Sequence, residues 1–146
     1  MRENPIRLTM VCALFALCWC WIVADTAQAE EVAFQDLTLE EALAKAEQTG
    51  QTLLIEVGAA HCMACGDMKK ELWESPEGVA LADGLICLRF DSTTPKGRAL
   101  NKHYPITGLP VVIFVRPDGT EIDRVVGYTD KAKFLEDAEL LKTGYD

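Results

Sequence analysis

Apolar and polar positions follow two rhythms along this chain, and each change of rhythm marks an element. Thr38 to Glu47 (TLEEALAKAE) places apolar residues at helical spacing, and Thr38 with Glu41 three residues on forms a capping box. Gly50 ends that helix. Thr52 to Val57 (TLLIEV) is a short, nearly continuous apolar run and predicts a buried strand. Ala64, Met68 and Leu72 then return to helical spacing, which predicts a helix from about Cys62 to Trp73. Ser75-Pro76 breaks it and starts a short further turn through Val79 and Leu81. Residues 85–90 predict a second strand, Pro95 to His103 a helix, and Val111 to Val115 a strand apolar on both faces, as central strands are. Pro117-Asp118-Gly119-Thr120 is a turn signal, so Glu121 to Val126 pairs back as a hairpin. Asp130 caps a last helix to about Leu141. Residues 30–37 carry no clear pattern. The order α-β-α-β-α-β-β-α predicts an α/β domain with a mixed central sheet of about four strands and helices on both faces.

The N-terminal segment departs from both rhythms. Arg2 and Arg7 precede Leu8 to Ala24, where Thr9 is the sole polar residue, and Ala27-Gln28-Ala29 fits a small-x-small cleavage site. Residues 1–29 therefore read as an export signal, with an uncleaved anchor as the alternative, and residues 30–146 as the mature domain. None of Cys12, Cys18 and Cys20 has before it the small residue that lipid attachment needs. Residues 1–29 carry two basic and two acidic groups, so the net charge of −9 belongs to the mature domain. That balance argues against nucleic acid or an anionic membrane surface as a partner. Removal of the signal leaves Cys62, Cys65 and Cys87. One close pair plus a third thiol in a strand-like run does not make a disulfide-stapled scaffold, and Cys87 reads as a small buried hydrophobe.

The chemistry concentrates on Cys62-Met63-Ala64-Cys65. Following strand 52–57 and the small residues Gly58-Ala59-Ala60, Cys62 falls at a helix N-terminus, where unpaired N–H groups and the helix dipole favour a thiolate. A second thiol one turn on can release whatever the first has captured. Glu56, on an apolar strand, is costly unless paired or neutral, so burial would raise its pKa and equip it to exchange a proton with Cys65. The competing reading is an edge-strand glutamate facing water. Pro110 belongs at the start of strand 111–115 because proline is poorly tolerated inside a central strand; a trans or a cis peptide after Leu109 both satisfy that. His61 either supports the Cys62 thiolate as an imidazolium or is an ordinary loop histidine. His103 reads as a helix-end histidine and Trp73 as core.

Together, Cys62/Cys65 at a helix start, Glu56 six residues upstream and Pro110 before a central strand resemble the thioredoxin family. Gly108 to Phe114 (GLPVVIF), the Pro117-Asp118-Gly119 turn and Val126-Gly127-Tyr128 are most similar to the C-terminal periplasmic domain of DsbD-type thiol:disulfide interchange proteins. The resemblance implies a thioredoxin-like fold from about Thr38 to Leu141 and a cis Pro110 packed beside the cysteine pair. It further implies catalytic Cys62, Cys65 and Glu56, with His61, Met63, Leu109 and Pro110 meeting the substrate. The chain departs from the family in having His61 where Trp usually precedes the first cysteine, and Glu56 where Asp is common.

The expected activity is therefore that of an exported, periplasmic thiol:disulfide oxidoreductase, chiefly a reductase. It would need no organic cofactor or metal beyond its own Cys62–Cys65 disulfide. Its partners would be disulfide-containing periplasmic proteins and a membrane thiol electron donor, and it would act as a monomer. The alternatives are an oxidase or isomerase, which His61 favours, and a Cu(I)- or Zn-binding metallochaperone using His61, Cys62, Met63 and Cys65. A thioredoxin-fold binding module with incidental cysteines is a third.

Overall fold

The structure, a computed structural model, describes residues 31–142. The expected signal segment, residues 1–29, lies outside the described residues. The elements are α1 (Leu39–Thr49), β1 (Leu53–Gly58), α2 (Met63–Met68) running on into a π-helical turn (Lys69–Trp73), α3 (Pro76–Ala82), β2 (Ile86–Asp91), α4 (Pro95–His103), β3 (Val111–Val115), β4 (Glu121–Val126) and α5 (Lys131–Lys142). The sheet order is β2-β1-β3-β4, with β1 parallel to β2 and antiparallel to β3, and β3 antiparallel to β4. This is the expected mixed sheet.

Local chemistry accounts for the boundaries. Thr38 and Glu41 exchange both hydrogen bonds of the capping box at the start of α1, and Gly50 closes it with φ of 71°, a left-handed conformation that costs glycine little. Ser75 and Thr94 accept from the N–H groups of Gly78 and Gly97, each followed by a proline in the first helical turn. The β3–β4 hairpin turns through Gly119, and Asp118 Oδ1 accepts the Thr120 N–H at 2.8 Å.

One element differs from its sequence-based expectation. The helix expected over 62–73 is not α-helical throughout: the Glu74 N–H donates to Lys69 O at 3.0 Å, a span of five residues. This wider turn seats both Leu72 and Trp73 fully in the core. Such turns mark helices whose side chains are placed for more than length.

The period-two pleat divides the core. Leu53, Ile55 and Val57 with Ile86, Leu88, Phe90, Val111, Ile113 and Val115 face α1 and α4. Leu54, Cys87, Val112 and Phe114 face the other way, onto Met68, Leu72, Trp73, Leu81 of α3, and Phe134 and Ala138 of α5. Glu56 shares the parity of Leu54, so its side chain points at the layer that contains α2.

α4 is pressed tightly onto the end of β2. A Cβ on Gly97 would stand 2.0 Å from Asp91 O, a backbone atom that cannot step aside. Gly97→Ala is expected to destabilise the domain by about 3 kcal/mol, read as a lowered urea midpoint with little change in slope.

Candidate active site

β1 is buried along its whole length and ends at Gly58, which delivers the chain into the turn that carries the cysteines. The Cys62 N–H donates to Ala59 O at 3.1 Å, and Cys62 becomes the N-cap of α2. Its Sγ accepts the Cys65 N–H at 3.2 Å, taking the place of the usual capping oxygen. A sulfur in that position meets the positive end of the helix, which stabilises it as a thiolate when the pair is reduced. Here the pair is oxidised: Cys62 and Cys65 form a disulfide of 2.08 Å with Cα atoms 5.2 Å apart.

Glu56 stands behind the pair. It is 4% exposed and lies on a central strand, which rules out the reading of a water-facing edge residue. A Cβ on Gly58 would sit 3.4 Å from Cys65 Sγ and 3.5 Å from Glu56 Oε1, so the missing side chain at Gly58 leaves one small gap that both groups border. The carboxyl and the second cysteine are thereby within reach of proton exchange through a single water. Burial holds the Glu56 carboxyl above its ordinary pKa, while Arg89 and, through space, Lys69 pull it down.

Arg89 is a residue the sequence did not single out. It is the register partner of Glu56 on β2, and its Nε donates to Glu56 Oε2. Glu56, Arg89, Lys69, Asp91 and both cysteines line one open cleft of about 270 Å³. The available signal was one charge in each of two neighbouring apolar strands, since a buried acid seeks a cation.

The remaining expected site residues are distributed as follows. Val57 pairs with Val111, and one further step in register places Pro110 beside Gly58. The Leu109–Pro110 peptide is cis, and Pro110 O accepts the Gly127 N–H at 2.7 Å. Leu109 is partly buried against the α1-side core. His61 is exposed in the turn before Cys62, and Met63 opens α2 at 85% exposure. Val126, half-exposed, presses on Gly108, where a Cβ would stand 2.9 Å from its Cγ1. Tyr128 donates to Glu71 Oε2 at 3.0 Å and ties the end of the hairpin to the π-helical turn. Cys87 is buried in the α2-side core apart from the pair, and its thiol donates to Ala82 O at 3.9 Å.

A strand-fed helix capped by the first of two cysteines, a buried acid beneath the second and a cis proline alongside decide the comparison with known proteins. The thioredoxin-like family model matches residues 33–117. The chain belongs to the thioredoxin-like family. It is 35% identical over 100 residues to the thiol:disulfide interchange protein DsbD of Klebsiella pneumoniae subsp. pneumoniae, a match covering 66% of this chain and 16% of that protein. A DsbD of Pseudomonas aeruginosa is 33% identical over 111 residues, 70% of this chain and 19% of that one. The chain thus spans about a fifth or less of the length of these interchange proteins. Among solved structures, the oxidised C-terminal domain of Neisseria meningitidis DsbD superposes with a TM-score of 0.59 at 28% identity, covering 74% of this chain and 97% of that one. A thioredoxin from Thermus thermophilus, at 23% identity and a TM-score of 0.65 over 77% of this chain and 88% of that one, shares the fold.

Proposed function

We propose that this protein is an exported thiol:disulfide oxidoreductase that reduces disulfides in periplasmic proteins and is recharged by a membrane thiol electron donor. The observation that carries the reading is the inequality within the pair: Cys62 is the N-cap of the helix, whereas Cys65, one turn further along it, borders with Glu56 the gap at Gly58. In the reduced protein the Cys62 thiolate attacks a target disulfide, forms a mixed disulfide and expels the first target thiolate. Cys65 then gives its proton to Glu56 and attacks Cys62 Sγ; the mixed disulfide breaks and the second target thiolate leaves. Two electrons pass from the protein to the target, and Cys62–Cys65 becomes the disulfide seen here. Met63 and Val126 offer an apolar collar for the target segment. Because Pro110 O is already engaged by Gly127, the backbone left to pair with an extended target is that of Leu109.

Kinship with DsbD supports the reductive direction, and a measured potential tests it. Equilibrium with dithiothreitol or glutathione buffers is expected to place the Cys62–Cys65 couple near the thioredoxin end, around −270 mV. A value near −120 mV would make the protein an oxidant, with His61 favouring the thiolate. Stoichiometric retention of copper by a pair that does not cycle would replace the exchange reading with metal binding.

A further inference from the structure

Between α4 and β3 the chain forms no helix or strand, yet this connector, residues 104–110, carries the Leu109 backbone that a target segment would meet. Pro105 and Thr107 are exposed along it, and an untied stretch of this kind would sample many conformations. The β3–β4 hairpin supplies the ties. At the start of the connector the Tyr104 hydroxyl donates to Gly119 O at 2.8 Å, and at its end the Gly127 N–H donates to Pro110 O. Two side chains of β4 reach the stretch between. Arg124 pairs in register with Ile113 and Val126 with Val111, so both lie on the sheet face that carries α1 and α4. Val126 presses on Gly108, and Arg124 Nη1 donates to Pro105 O at 2.6 Å.

The guanidinium arrives there already oriented. Nε and Nη2 donate to the two oxygens of Glu121, a fork that fixes the guanidinium plane and turns Nη1 toward the connector. The two side chains are 19% and 28% exposed, which sets the pair apart from open surface pairs of little consequence. From the opposite side, Asn101 Oδ1 of α4 accepts the Ile106 N–H at 2.7 Å. The Pro105–Ile106 peptide is thus held at both ends, its C=O by β4 and its N–H by α4. β4 is a firm support, because Tyr128 beyond its end is tied to Glu71. Arg124 is not among the residues that line the cleft shared by Glu56 and the cysteines. Its contacts bear on where the target lies, not on the sulfur atoms.

We propose that Arg124, braced by Glu121, is a positioning residue that fixes the connector so that the Leu109 backbone is preset for an extended target segment. The proposal rests on the exchange reading above. It sets affinity for protein disulfides and leaves the chemistry of Cys62 and Cys65 untouched. A connector released from Arg124 must be ordered anew each time a target binds, and that cost appears as weaker binding.

Single-turnover reaction of the reduced full chain with excess insulin, quenched in acid and read from the remaining thiols at Cys62 and Cys65, gives a half-saturating concentration and a limiting rate. In Arg124→Met the half-saturating concentration of insulin is expected to rise about tenfold, with the limiting rate within about twofold of wild type. A chromogenic aryl disulfide, too small to span the connector, should react with the variant at the wild-type rate, and the Cys62–Cys65 potential should not move. Arg124→Lys should recover part of the loss, since one ammonium cannot reproduce the fork and also hold Pro105 O. Glu121→Gln should weaken insulin binding in the same direction by less. An unchanged half-saturating concentration in Arg124→Met overturns the proposal, as does equal slowing with insulin and the aryl disulfide, which would mean general damage to the site. Should Arg124→Met not fold, Arg124→Lys carries the test, and wild-type half-saturation there overturns the proposal. A wild-type protein that reduces neither substrate is a different failure and removes the exchange reading itself.

Discussion

Cys65→Ser is expected to turn the protein from a catalyst into a trap. Cys62 remains the N-cap of α2, so its thiolate keeps the helix terminus and still attacks a target disulfide. The serine hydroxyl cannot attack sulfur at neutral pH, so the mixed disulfide persists. A covalent complex with target protein should survive denaturing electrophoresis and vanish on addition of dithiothreitol, with the second product thiolate never released. Cys62→Ser should fail earlier. Cys65 sits one turn further along the helix, beside Gly58 and the Glu56 carboxyl, whose negative charge disfavours a thiolate there. Target reduction in that variant is expected to fall on the order of 10³-fold or more. Equal trapping by both variants would contradict the assignment of attacking and resolving roles. Cys87 does not interfere with either measurement, because it is buried in the core layer facing α3 and α5.

The contrast between Glu56 and Arg89 shows what a single chain discloses. Glu56 stands out because it interrupts an apolar run in a strand expected to be central, and a charge there has a cost that demands an explanation. Arg89 also interrupts an apolar run, but on an edge strand a long cation reads equally well as a solvent-facing residue. Only the parallel register of β1 with β2 makes it the partner of Glu56. The path of residues 31–37 was illegible for a related reason. They form no helix or strand of their own, and their order comes from the β2 edge, Trp73 and Arg89, all far along the chain. By contrast, α1, α4 and the β3–β4 hairpin announce themselves through local chemistry: a capping box, a proline in the first turn, a Pro-Asp-Gly turn. The π-helical turn escaped because Ala64, Met68 and Leu72 fit an ordinary helical period, and the widening at Lys69 arises from the packing of Leu72 and Trp73 together.

Glu56→Gln is expected to impair catalysis while making the protein more stable at neutral and alkaline pH. On the kinetic side the amide cannot accept the Cys65 proton, so resolution should slow about a hundredfold near pH 7. The deficit should shrink as pH approaches the ordinary thiol value of about 8.5, where Cys65 ionises without help. The stability effect follows from the direction of the Glu56 shift. Burial raises its native pKa above the ordinary value of 4.5. An acid shifted upward by folding favours the native state while it is protonated. Its contribution is full below the unfolded value and is lost as pH rises through the native one. Wild-type stability should therefore decline over that window, and the variant, which has no proton to lose, should not follow it. Arg89 would not be stranded by the change, since it is partly exposed and keeps Phe34 and Glu31. Urea unfolding of both proteins between pH 4 and pH 9 reads the difference directly. Parallel stability curves would mean that Glu56 titrates alike in the folded and unfolded chain, and its part in moving the Cys65 proton would then lose its physical basis.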